Sequence, residues 1–227
     1  MSALNIHLAD DAAHVFTDGA LYYRGTEGAV AAFGNKVWPL PQFDAVIGAT
    51  GASWPIFMIA NQITAHGALG TATDFAELRD TFPKLIRDSI ALSQSMNMPD
   101  WGHYVAALIG WNREEGRAEA YRISRFDRDE AGAFEMEAVS DIRSPADAFV
   151  RDTPFRAADA AASGLAIMEK QRNLRTWSAD EPDAGPISCV GGFCQHTIVS
   201  ADGITTRAIH HWPDEIGGTT RRNDRLF

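Results

Sequence analysis

The chain has 227 residues, 45 % of them hydrophobic and 22 % charged, and carries a formal net charge of −10. That length suits one large domain or two small ones, and the acidic excess argues against a nucleic-acid groove or an anionic membrane surface as partner, since both are themselves negative. No apolar run approaches the roughly 20 residues of a membrane span, and no basic leader with an apolar core opens the chain. Two cysteines, Cys189 and Cys194, cannot build a disulfide framework, so a reducing, cytoplasmic setting is expected.

Taken in order, residues 3–9 (ALNIHLA) alternate in the manner of a half-buried strand, Asp10-Asp11 supplies a turn, and AAHVFTD returns as a second strand. ALYYRG, AVAAFG and NKVWPL are short strand-like runs divided by glycines, and FDAVIGAT is a buried strand that ends in GATGAS. A helix is expected over 53–69, with Ser53 as N-cap and Pro55 in its first turn. A second is expected over 73–96, where Phe75, Leu78, Phe82, Leu85, Ile86 and Ile90 recur at helical spacing, with Pro83 kinking or splitting it. HYVAALIGWN and AEAYRISRFD flank a hairpin turn, and AFEMEAVSD reads as a further strand. ADAFVRD and RAADAAASGLAIMEKQRNL are helical, and ISCVGGFCQHTIVS and ITTRAIHHW close the chain as two strands around Ala201-Asp202-Gly203. Residues 178–186 and a tail from about 217 are expected to be mobile.

Sheet, helix pair, sheet, helices, sheet is thus the element order. Each half-apolar strand needs a cover, and two sheets packed face to face with helices outside supply it. The expected fold is α+β, a four-layer α-β-β-α sandwich of two antiparallel sheets, in a single domain over 1–227.

The first fifty residues carry a pattern beyond element order. Ser2 is followed at a fixed interval by Asp18-Gly19 in FTDGA, then by Lys36 in GNKV after the next hairpin, then by GATGAS before the first helix. This resembles the N-terminal half of proteasome β-type subunits and their bacterial relatives, members of the N-terminal-nucleophile (Ntn) hydrolase superfamily. In that family the mature chain begins with a nucleophilic Thr. The resemblance implies Ser2 as nucleophile after removal of Met1, Lys36 as the cation that tunes it, Asp18 as the carboxylate that orients Lys36, and Gly51 as donor to an oxyanion. The chemistry is self-contained: the hydroxyl attacks an amide carbonyl and the free α-amine, with an ordinary pKa of about 8, takes the proton. A neighbouring ammonium lowers that pKa, and backbone N–H groups stabilise the tetrahedral intermediate. The family's second half carries a Gly-Ser-Gly-Gly turn and an Asp/Ser pair supporting the nucleophile. No such turn is present here; AVSDIRSPA stands in its place, with Ser140, Asp141 and Ser144 as candidate remnants. An ordinary structural reading stands beside the catalytic one, with Asp18-Gly19 as a turn dipeptide and Lys36 as a strand-edge charge.

Other constellations are weaker. Cys189, Cys194, His196, His210, His211 and Asp214 cluster in sequence, but Cys-x4-Cys is loose for zinc and neighbouring strand residues face opposite ways, so no metal is expected. Cys194 is the next nucleophile to test if Ser2 is not one. GATGAS lacks the Lys of a phosphate loop, and no cofactor is implied. Trp38, Trp54, Phe57, Trp101 and Trp111 read as core, with any exposed members marking a subunit interface. Two functions remain: a peptidase or amidohydrolase acting on a peptide or amide substrate, or a catalytically silent proteasome-like module in a homo-oligomer or a larger cellular or phage particle.

Overall fold

A computed structural model describes residues 2–23, 26, 28–126, 132–176 and 186–220. Strand β1 (Leu4–Leu8) pairs antiparallel with β2 (Ala12–Asp18), Leu4 standing opposite Thr17. These two sit in the middle of a five-stranded sheet, flanked by β10 (Asp141–Ser144) on one side and by β11 (Phe193–Ser200) and β12 (Gly203–His211) on the other. The second sheet runs β5 (Val37–Leu40), β6 (Ala45–Thr50), β7 (Val105–Asn112), β8 (Arg117–Ser124), β9 (Met136–Ala138), all neighbours antiparallel. A short ribbon, β3 (Ala20–Tyr22) with β4 (Val30–Phe33), links β2 to the second sheet.

Three apolar layers hold these together. Leu4, Ile6, Ala13, Val15 and Val199 of the first sheet meet Val46, Ala107, Ile109 and Ala120 of the second. The outer face of the second sheet packs on α1 (Pro55–Ala68) and α2 (Phe75–Ser95) through Ile47, Leu108, Ile59, Ile63, Leu78 and Phe82. The outer face of the first packs on α4 (Ala160–Asn173), where Phe16 meets Met168. The short α3 (Asp147–Val150) lies on this side as well, in contact with α4. Helices, sheet, sheet, helices is the expected α-β-β-α order. Alternation explains why β1 serves two layers: Leu4 and Ile6 face the other sheet, while Ala3 and Asn5 face α4.

Four local expectations need correction. Ser53 does not cap α1; Trp54, already at helical φ −73 and ψ −28, precedes Pro55, whose missing N–H leaves one fewer orphan donor to satisfy. Pro83 does not split α2, because Leu78, Phe82, Leu85 and Ile86 anchor it on both sides of the proline. AFEMEAVSD is two strands in different sheets: Val139 N–H still donates to Ala120 O on β8, while Ser140 O accepts from Leu8 N–H on β1. The last apolar run enters its strand only at Phe193; before it, Ile187 makes an isolated bridge to Thr176. Of the stretches expected to be mobile, 178–185 and 221–227 lie outside the described residues. Residues 217–219 are tied back to β4, with Gly217 N–H donating to Val30 O and Thr219 bridging Ala29.

Candidate active site

The start of β1 and the end of β2 are neighbours because the hairpin is antiparallel, so Asp18 returns the chain to the side of Ser2. The Asp18 side chain is fully buried and accepts four hydrogen bonds. Its Oδ1 takes Ala3 N–H at 2.9 Å and Lys36 Nζ at 2.6 Å. Its Oδ2 takes Ala20 N–H at 3.2 Å and Gly191 N–H at 3.2 Å. Lys36 is 5 % exposed, so the pair is an internal one. It cannot be the solvated strand-edge charge of the structural reading. Asp18-Gly19 is not merely a turn either. Glycine is required at 19 because a Cβ there would lie 2.3 Å from the Phe193 ring.

Ser2, Asp18 and Lys36 are thus brought together: Asp18 fixes both the ammonium and the peptide that joins Ser2 to Ala3. Ser2 itself is 8 % exposed. Gly51 closes the far end of β6 at φ +106, a left-handed value, and a Cβ there would meet His103 O at 2.6 Å. Its neighbour Thr50 lines a cleft of about 380 Å³ with Leu4, Ser144 and Ala146, which sets the GATGAS turn across a cleft from β1.

Register separates the three candidate remnants. Ser144 stands opposite Leu4, beside the start of β1, but Asp141 stands opposite His7 and Ser140 accepts from Leu8, at the other end of the strand. Asp141 instead holds Arg143 and approaches His7 Nδ1 at 3.4 Å.

The Cys/His/Asp constellation disperses. His196 points under α4, where it meets His14 at 3.0 Å between ring nitrogens and stacks on Phe16. His210 lies 3.7 Å from Glu169, and His211 packs against the ring of Phe193. Among the described residues no group of three or more His, Cys, Asp or Glu could hold a metal ion. Cys194 is fully buried, and burial first, then the Asp18 charge, pushes its thiol above the ordinary range, which removes the thiolate a nucleophile needs. Cys189 is likewise buried and pushed up, with Thr176 Oγ1 at 3.5 Å.

Sequence reasoning missed the floor of the site. Asp214 is held by Arg172 through both guanidinium Nη atoms, at 2.8 and 2.7 Å, and also accepts Gly192 N–H at 2.8 Å. Tyr22 lies over Lys36, Nζ to ring centroid 5.9 Å, and its hydroxyl has no hydrogen-bond partner among the described residues. The sequence signals for this floor are the Gly191-Gly192 pair, whose second member has φ +73, and Asp214, which was grouped with the cysteines and histidines instead.

No protein-family model matches the chain, and no curated protein matches it significantly. Solved structures do. An Anbu (Gly-1) mutant from Hyphomicrobium sp. strain MC1 superposes with a TM-score of 0.67 at 12 % identity, covering 95 % of this chain and 89 % of that one. Anbu from Yersinia bercovieri, described as an ancestral beta-subunit, gives 0.61 at 11 % identity, covering 93 % of this chain and 88 % of that one. At such identities the likeness concerns architecture alone: this chain has the α+β, proteasome-like Ntn-hydrolase fold.

Proposed function

We propose that this chain is an N-terminal-nucleophile hydrolase of amide bonds, with Ser2 as nucleophile once Met1 is removed. The observation that supports this reading is the sharing of one Asp18 oxygen between Lys36 Nζ at 2.6 Å and Ala3 N–H at 2.9 Å. A buried ion pair is a poor device for stability, because desolvating two charges offsets most of their attraction. Its position beside the second residue has a chemical rationale instead. Lys36 favours the neutral form of the Ser2 α-amine; that amine takes the hydroxyl proton as Ser2 attacks the carbonyl carbon. The same amine returns the proton to the leaving amine as the acyl-enzyme forms, and water then releases the acyl group. Gly51 N–H is assigned as donor to the oxyanion. The chain acts as one domain, from Ser2 onward, in a homo-oligomer and in the cytoplasm, on a peptide or amide substrate and without cofactor.

The second reading is a silent module of a larger assembly. Exposed aromatics favour it: Trp38 is 41 % exposed, Phe57 47 % and Phe149 73 %. Intact mass and a serine-reactive sulfonyl fluoride separate the two. The hydrolase reading expects loss of Met1 and a single label on Ser2, absent in Ser2→Ala and Lys36→Ala. A retained Met1, which turns the Ser2 amine into an amide that cannot act as base, or a label that persists in Ser2→Ala, overturns it.

A further inference from the structure

Beneath Asp18 lies a second buried ion pair that the hydrolase reading does not use. The side chains of Arg172, near the C-terminal end of α4, and Asp214, after β12, are 2 % and 0 % exposed. Arg172 Nη1 donates to Val190 O at 2.7 Å as well as to Asp214, and Asp214 Oδ2 accepts Gly192 N–H at 2.8 Å. The carbonyl of Val190 and the N–H of Gly191 belong to one planar peptide unit. Arg172 holds the oxygen end of that unit, and its nitrogen end donates to Asp18 Oδ2 at 3.2 Å. The unit is therefore a short rigid lever between two ion pairs. A guanidinium on the carbonyl also polarises the amide, strengthening the N–H that faces Asp18. The turn admits only glycine at its centre, since a Cβ at Gly191 would lie 2.8 Å from Asp214 Oδ2.

We propose that Arg172 and Asp214 are a positioning pair for the Ser2 site: they fix the 190–191 peptide, which orients the Asp18 carboxylate between Lys36 and Ala3. This assignment rests on the hydrolase reading for its consequence, though not for its geometry. Neither residue touches a substrate; both act through Asp18.

Two measurements test it on the full chain after Met1 removal, in Arg172→Met/Asp214→Asn, which removes both charges together, and in Arg172→Lys, which keeps the charge but not the planar fork. The first is amide hydrogen exchange. Protection at Gly191 and Ala3 is expected to fall at least tenfold in the double variant and at least threefold in Arg172→Lys, while Ile47 and Leu108 of the second sheet keep theirs. The second is the rate of Ser2 labelling by a sulfonyl fluoride from pH 5 to 10. Its midpoint is expected to rise by half a unit or more and its plateau to fall tenfold in the double variant. Phe82→Leu, which loosens the core under α2 instead, is expected to leave the midpoint in place. Unchanged exchange at Gly191 and Ala3 in the double variant overturns the positioning pair, as does an unchanged labelling profile where the parent labels. If the double variant does not fold, Arg172→Lys decides by the same criteria. A parent that never labels at Ser2 defeats the hydrolase reading, and the exchange measurement alone then decides the clamp.

Discussion

Lowering the pH from 7.5 to 5 is expected to destabilise this fold through two buried histidines. His7 and His196 lie between the first sheet and the layer carrying α4, each 2 % exposed, and Phe155 stacks on His7 with 4.2 Å between ring centroids. Burial lowers both pKa values from 6.5 to about 4; for His7 the Asp141 carboxylate opposes the shift, and for His196 the neighbouring His14 and Arg207 add to it. His14 is lowered in the same direction by burial, against a pull from Asp11. Because the folded pKa lies below the unfolded one, the unfolded chain binds more protons between about pH 6.5 and 4. The stability is whole above that window, is lost as pH falls through it, and is flat again below. Integrating to pH 5 gives about 2 kcal/mol for each histidine, and about 3 kcal/mol each at the low-pH limit. Asp141, whose carboxyl is raised by burial but brought down on balance by Arg143 and His7, loses its contribution only at lower pH. Urea unfolding followed by tryptophan fluorescence measures this directly. At a slope of about 2 kcal/mol per molar urea, the midpoint should drop by about 2 M between pH 7.5 and 5. His7→Leu should remove about half of that drop, since the substituted chain no longer gains a proton there on unfolding. If His7→Leu and His196→Leu both keep the full drop of the parent, the histidines are not its source and the argument from burial is wrong.

Breaking the Asp18–Lys36 pair by Lys36→Met should cost about 3–5 kcal/mol in urea unfolding, because the buried Asp18 carboxyl group would be left without its ammonium partner. A loss below about 1 kcal/mol would refute the expectation that the pair cannot be broken cheaply. Gly164→Ala should cost about 1–3 kcal/mol, since the new Cβ would lie 2.2 Å from the fully buried Phe16 ring; a thermal midpoint equal to the parent's would show that the α4 layer yields freely. Ser2→Ala should abolish sulfonyl fluoride labelling of the Met1-free chain while shifting the urea midpoint by less than about 0.5 kcal/mol equivalent. Sedimentation at tens of micromolar should give a species heavier than one chain; a clean monomer would count against assembly.

Local pattern carried the elements of this protein. Period-two alternation marked Leu4–Leu8 and Ala12–Asp18, and helical spacing marked Phe75–Ser95, because each reports which side of a short segment meets the core. The order of those segments was enough to fix the α-β-β-α layering, since every one-sided element must be covered. The closeness of Asp18 and Lys36 to the start of β1 was suggested by the family resemblance, and a single hairpin and the ribbon after it bring them there. What sequence could not reach was set by contacts across the chain. Val139 and Ser140 part between two sheets because one finds its partner on β8 and the next on β1. Cys194 and His196 lost their chemical promise to burial, which a sequence does not state. The amide that completes Asp18 comes from Gly191, 173 positions away, and is held there by Arg172 and Asp214. Such a contact leaves no periodicity in the chain; it exists only when β2 and β11 pair and α4 closes over them. Tertiary packing decided it, because burying a carboxylate obliges the fold to bring donors to it from wherever they lie.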